Sequence, residues 1–126
     1  MKLVILDRDG VINKDSVHSI KSPEEWVPIE GSLEAISLLN KNGYTVVVAT
    51  NQSAIGKKLI SNVTLDSIHK KMQDLLNKKK GKIDKIFYCP HVEEDNCTCR
   101  KPKTGLMQKI KDYYSISLKK IPAIGD

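Results

Sequence analysis

An α/β fold, a doubly wound parallel sheet with flanking helices, is predicted for this chain by three observations. Short apolar runs alternate along the sequence with amphipathic helical patterns. The runs show no in–out alternation, as expected of strands buried on both faces. Each run ends in residues suited to chemistry rather than packing: Asp7 and Asp9, Thr50 and Asn51, Cys89 and His91, Asp126. Strand–helix–strand connections in one sheet are right-handed. With 126 residues they make one small Rossmann-like domain, residues 1–126, around one core.

The elements follow in order. LVILD (3–7) is the first strand, an apolar run closed by a carboxylate. Residues 14–30 form a long loop. Ser32 to Asn42 is a helix with Leu33, Ile36, Leu38 and Leu39 on its apolar side and Gly43 as a C-terminal stop. YTVVVAT (44–50) is a valine-rich strand. Thr64 caps a helix running to about Lys79, with Leu65, Ile68, Met72, Leu75 and Leu76 on its inner stripe. KIFYC (85–89) is the third strand, 89–103 the second long loop, and Thr104 to Tyr114 a helix using Leu106, Ile110 and Tyr113. IPAIGD (121–126) is the last strand.

Composition excludes several classes. Hydrophobic residues at 40% and charged residues at 29% suit a folded soluble domain rather than a disordered chain. No apolar run approaches the roughly 20 residues of a membrane span, and the N-terminus has no secretory pattern, so a cytoplasmic monomer without membrane contact is expected. The net charge of +6 suits an anionic ligand, but lysines such as Lys78, Lys79 and Lys80 sit at a helix end, where they complement the helix dipole. With one Phe and one Trp, there is little for a base-stacking nucleic-acid surface.

Residues i and i+2 of an extended chain point the same way, so Asp7 and Asp9 can face one reacting centre, with Gly10 allowing a sharp turn beside a bound anion. Two carboxylates this close imply a hard cation such as Mg²⁺. Taken alone, the pair fits a turn with two capping aspartates equally well. CPHVEEDNCTCRK supplies Cys89, His91, Cys97 and Cys99, one histidine and three thiolates, a complete tetrahedral set for a structural Zn²⁺. A disulfide, an iron centre or buried free thiols are the alternatives, and the odd thiol count favours zinc. Arg100 and Lys101 follow Cys99 directly, so an anchored Cys99 would preorganise both. His69 lies on a helix pattern and is expected at the surface or boundary. His18 has no ligand-type neighbours.

DRDGVIN (7–13) resembles the first motif of the haloacid dehalogenase superfamily of phosphatases. VVVATNQS (46–53) is similar to its second motif, RKP (100–102) offers the lysine of its third, and AIGD (123–126) the acidic residue of its fourth. DRDGVIN, TNQS and CPH with CxCRKP together resemble the D-glycero-D-manno-heptose 1,7-bisphosphate phosphatases and the related histidinol-phosphate phosphatases. The resemblance covers residues 3–126 and implies a Mg²⁺-dependent phosphomonoesterase of lipopolysaccharide-precursor metabolism that removes the 7-phosphate through an aspartyl-phosphate.

By the same resemblance, Asp7 is the nucleophile and Asp9 the general acid and base. Thr50 bonds the phosphoryl group, with Asn51, Gln52 and Ser53 contributing to the substrate site. Lys101 balances charge and holds Asp7, and Arg100 grips substrate. Asp7, the Asp9 carbonyl and Asp126 hold Mg²⁺. Asp15, Ser16, Val17 and His18 match the substrate-contacting loop by position, although DSVH departs from its pattern. The 14–30 interval is too short for a folded cap, so a capless site walled by loops is expected, taking a small phosphorylated sugar or amino-alcohol. Members of the family continue beyond the fourth motif, so a C-terminally incomplete domain of low activity is expected. Histidinol phosphate is the rival substrate. A phospho-accepting regulatory domain and a zinc-stabilised binding module are the non-catalytic rivals.

Overall fold

The computed structural model describes residues 2–125, so Asp126 lies outside the described residues. Four parallel strands, β1 (Leu3–Leu6), β2 (Thr45–Asn51), β3 (Lys85–Cys89) and β4 (Ala123–Ile124), form one sheet in the order β3-β2-β1-β4. The chain winds outward from β1 through β2 to β3. It then crosses back and lays β4 on the free side of β1, pairing Ile5 with Ala123 and Leu6 with Ile124. That reversal leaves a crevice at the carboxyl ends of β1 and β4, where open α/β sheets place their ligands.

The period-two geometry of the strands divides the core in two. Val4, Leu6, Val46 and Val48 point to one face and meet helices α1 (Ser32–Lys41) and α3 (Asn62–Lys78) through Ile36, Ile68 and Met72. Leu3, Ile5, Val47 and Ala49 point to the other and meet helix α4 (Gly105–Tyr114) through Leu106 and Ile110. Helices on both faces explain why these strands are apolar throughout rather than alternating.

Several boundaries differ from the sequence expectation. The long helix begins at Asn62, one turn after a one-turn helix α2 (Ser53–Gly56), and its cap is Ser61, not Thr64. The Ser61 hydroxyl accepts the Thr64 N–H at 3.2 Å, so Thr64 is the capped residue. Leu38 is 61% exposed, because it lies two residues, about 200° of helix, from the buried Ile36. Tyr113 is 58% exposed and rests edge-on against Phe87, 5.8 Å between ring centroids. The last strand spans only two residues, both exposed.

The 14–30 loop is firmly seated. Ile20 and Trp26 are buried in the α1/α3 core, and the Lys71 ammonium donates to the carbonyls of Pro23 and Trp26, both at 2.7 Å. A single 3₁₀ turn, Pro23–Glu25, is the only helical element described between β1 and α1. No described helix is long and apolar enough to cross a membrane.

Candidate active site

Asp7 follows β1 directly, and the chain then turns at Gly10, whose φ of +85° is a conformation that favours glycine. The Asp7 carboxylate is held at both oxygens. Oδ1 accepts the Arg8 N–H at 2.8 Å, and Oδ2 lies 3.0 Å from the Lys101 ammonium. Lys101 arrives from the other side of the sheet rim and is aimed by three contacts. Its Nζ also donates to the Ala49 carbonyl at 2.9 Å, its backbone N–H donates to Asn51 Oδ1 at 2.9 Å, and its carbonyl accepts Asn51 Nδ2 at 3.3 Å. The side-chain amide of Asn51 is therefore committed to the Lys101 backbone. Gly125, at the end of β4, lies against Asp7: a Cβ added there would sit 3.7 Å from Asp7 Cβ. Asp7, Asn51, Lys101 and Gly125 line an open cleft of about 370 Å³, with Met107 and Ile124 on its apolar side.

Asp9 is held from a different direction. Its Oδ1 accepts Arg8 Nε at 2.8 Å and Asn13 Nδ2 at 3.0 Å, and its Oδ2 accepts Gln52 Nε2 at 3.1 Å. The same Gln52 nitrogen is 3.1 Å from the hydroxyl of the buried Thr50, which links Asp9 to the end of β2. Ser53 opens α2 at the same rim. Asp15, Ser16, Val17 and His18 form an exposed turn closed by its own bonds, Ser16 N–H to Asp15 Oδ1 at 2.8 Å and His18 N–H to Ser16 Oγ at 3.2 Å. Arg100 is half-buried, donates to the His91 carbonyl at 3.4 Å, and lines a second cleft of about 380 Å³ with Asn96 and Lys103.

Three residues at this site escaped the sequence reading. Arg8 is completely buried, Asn13 is buried behind Asp9, and His69, expected at the surface or boundary, is buried. His69 Nε2 lies 3.1 Å from Arg8 Nη1. Its burial was legible: Leu65, Ile68, His69, Met72 and Leu76 share one helical stripe. Burial, followed by the nearby Arg8 charge, holds the His69 imidazole down at about 4, against the opposing pull of Asp9.

Behind the rim, Cys89, His91, Cys97 and Cys99 offer ligand atoms that all lie within 4.8 Å of one another. The Cys97 sulfur is 3.4 Å from that of Cys89 and 3.8 Å from that of Cys99, and His91 Nδ1 is 3.6 and 3.5 Å from Cys89 and Cys99. A tetrahedral ion with ordinary zinc bond lengths would set such edges at about 3.6–3.8 Å, close to these four distances, so the donor set suits a thiophilic ion. Within the cluster, burial and the neighbouring Cys99 push the Cys89 thiol up to about 12. Burial raises Cys97 too, but the Arg100 N–H and the adjacent thiols outweigh it and bring it to about 6. Gly105 closes the loop onto α4. A Cβ there would lie 2.3 Å from the Thr98 carbonyl oxygen, so only glycine allows the helix to start against this turn.

A carboxylate gripped by a lysine beside a second carboxylate, at the switch point of a parallel sheet, is the arrangement of a haloacid dehalogenase-like phosphatase. The family model for polynucleotide kinase 3 phosphatase matches residues 2–126. The chain is 48% identical to the D-glycero-beta-D-manno-heptose-1,7-bisphosphate 7-phosphatase of Bordetella bronchiseptica, over 100% of this chain and 70% of that one. It is 47% identical to the enzyme of the same name from Neisseria meningitidis serogroup A, over 100% and 67%. The crystal structure of D,D-heptose 1,7-bisphosphate phosphatase from B. bronchiseptica, complexed with magnesium and phosphate, superposes with a TM-score of 0.98 at 48% identity, over 100% of this chain and 70% of that one. The chain belongs to the D-glycero-D-manno-heptose 1,7-bisphosphate phosphatase family of haloacid dehalogenase-like enzymes.

Proposed function

We propose that this chain hydrolyses the 7-phosphate of D-glycero-D-manno-heptose 1,7-bisphosphate through an aspartyl-phosphate on Asp7. The observation that carries the reading is the Lys101–Asp7 contact at 3.0 Å at the crevice between β1 and β4. A carboxylate is a weak nucleophile toward a phosphate dianion unless cations neutralise the phosphoryl oxygens, and Lys101 is aimed to do so. The bond from Asp7 to phosphorus forms as the bond to the sugar oxygen breaks, and Asp9 gives its proton to that oxygen. Asp9 then takes a proton from the water that displaces phosphate from Asp7. Thr50 and Gln52 support Asp9 from the end of β2.

The family resemblance assigns Mg²⁺ to Asp7, the Asp9 carbonyl and Asp126, of which Asp7 and Asp9 are among the described residues. Among the described residues, no backbone N–H is bonded to the Asp9 carbonyl, which leaves it free to bind a hard cation. When bound, the ion neutralises phosphoryl charge during transfer. Zn²⁺ in the Cys89, His91, Cys97 and Cys99 cluster serves a structural role, since four protein ligands leave no open position. Three thiolate ligands grouped on one metal suit a reducing, cytoplasmic setting. Arg100, on the second cleft and directly before Lys101, is the fork that reads the far end of the substrate. With no folded insertion described between β1 and α1, loops rather than a cap domain would wall the site.

The experiment is phosphate release with Mg²⁺ from heptose 1,7-bisphosphate, as both anomers, and from histidinol phosphate. Release from the 7-position of the heptose, abolished by Asp7→Asn, is expected. Equal release by Asp7→Asn would end the covalent mechanism, and preference for histidinol phosphate would overturn the substrate.

A further inference from the structure

We infer that Arg8 and His69 are a buried positioning pair for Asp9, and that they leave Oδ2 of Asp9 as the oxygen that exchanges the proton. The inference rests on the reading of Asp9 as acid and base.

A guanidinium carries only donors. Arg8 spends Nε on Asp9 Oδ1 at 2.8 Å, and Nη2 lies 2.7 Å from the same oxygen as an ionic contact without hydrogen-bond alignment. Nη1 points the other way and meets His69 Nε2 at 3.1 Å. Since Arg8 must donate there, His69 must accept, so its ring is neutral with the hydrogen on Nδ1. The acceptor fixes the rotation of the fork: turning the guanidinium away from Asp9 would also break the contact with His69.

The two oxygens of Asp9 become unequal. Oδ1 accepts Arg8 Nε and Asn13 Nδ2, which occupy both of its lone pairs, and the Arg8 Nη2 charge lies beside it, which leaves no room for a hydrogen of its own. Among the described residues, Oδ2 accepts only the Gln52 amide, so one lone pair stays open. Gln52 is itself fixed on Thr50, so the carboxylate cannot rotate without breaking bonds at both ends. A hydrophobic residue at position 69 would pack with Ile68 and Met72 but would leave Nη1 buried and unpaired, which is costly for a charged donor.

Among the described residues, the charged and titratable groups facing His69 are few. Arg8 and, through it, Asp9 approach from the turn after β1, and the Tyr88 ring of β3 lies 6.4 Å away, centroid to centroid. Burial holds His69 neutral down to about pH 4, so the acceptor persists across the working range of a neutral-pH enzyme.

The test exploits the leaving group. Expulsion of a sugar alkoxide needs the Asp9 proton, whereas expulsion of nitrophenolate scarcely does. The kcat/KM for heptose 1,7-bisphosphate and for p-nitrophenyl phosphate, which reports steps through phosphoryl transfer, is measured for wild type, His69→Leu, His69→Gln, Arg8→Lys and Asp9→Asn. His69→Leu is expected to lower the value for the sugar phosphate about tenfold, part of the roughly 10²–10⁴-fold that general acid catalysis supplies, and that for the nitrophenyl ester by less than about twofold. His69→Gln, which keeps an acceptor, recovers most of the loss. Equal losses on both substrates, or none, would overturn the inference. Should His69→Leu fail to fold by circular dichroism, Arg8→Lys, which keeps the charge but loses the fork, decides by the same comparison. Asp9→Asn separates the premise: full activity there defeats the acid–base reading itself, whereas its loss beside a fully active His69→Leu defeats only the positioning pair.

Discussion

Arg8 sits between two carboxylates in sequence, yet the residue that shapes its environment is sixty-one positions away. The buried contact with His69 has a consequence for stability as well as chemistry. Folded His69 takes up a proton only near pH 4, while in the unfolded chain it does so near 6.5. Between those values the unfolded state binds the extra proton, so stability is complete above about pH 6.5 and declines as the pH falls toward 4. The decline from this residue approaches about 3 kcal/mol. Urea midpoints at pH 7 and pH 4.5 check it: wild type should lose markedly more than His69→Gln, and equal losses would refute the assignment.

At the scale of elements, the site is a meeting of strand ends, and the helices hold those ends in place. α3 packs against β1 and β2 through Ile68 and Met72 and carries His69 on the same stripe, so the helix delivers both core and chemistry. Its start depends on one hydroxyl. Ser61→Ala removes the acceptor for the Thr64 N–H and is expected to cost about 1 kcal/mol, whereas Thr64→Ala should cost less because its backbone N–H is unchanged. Thermal unfolding of the two variants ranks them, and the reverse order would assign the cap to Thr64 after all.

For the whole molecule, the Cys/His cluster couples a loop to Lys101, the lysine that meets Asp7. Cys99 is buried against Leu106 and Ile110 in the α4 core, and Lys101 reaches Asp7 two residues later. The proposed metal at the cluster would therefore stabilise the fold and the Lys101 approach together. One zinc per chain is expected by metal analysis. Chelation or Cys97→Ala should lower the melting temperature by several degrees and cut turnover at least tenfold while most helix content remains. A metal-free chain with unchanged melting and turnover would sink the proposal.

Apolar runs without alternation determined the parallel sheet, because strands covered on both faces have no polar side to display. The carboxylate pair, the four Cys/His donors and the lysine after them were legible for a related reason: chemistry restricts residue type at short spacings. What the sequence could not decide was which polar groups meet across the sheet. Asn51 reads as a substrate contact, but its amide is spent on the Lys101 backbone fifty residues on. Arg8 reads as a spacer between aspartates, and only the crossing of α3 over β1 brings His69 to it. Such contacts are nonlocal, and a buried donor's partner is chosen by packing geometry, which the tertiary structure alone supplies.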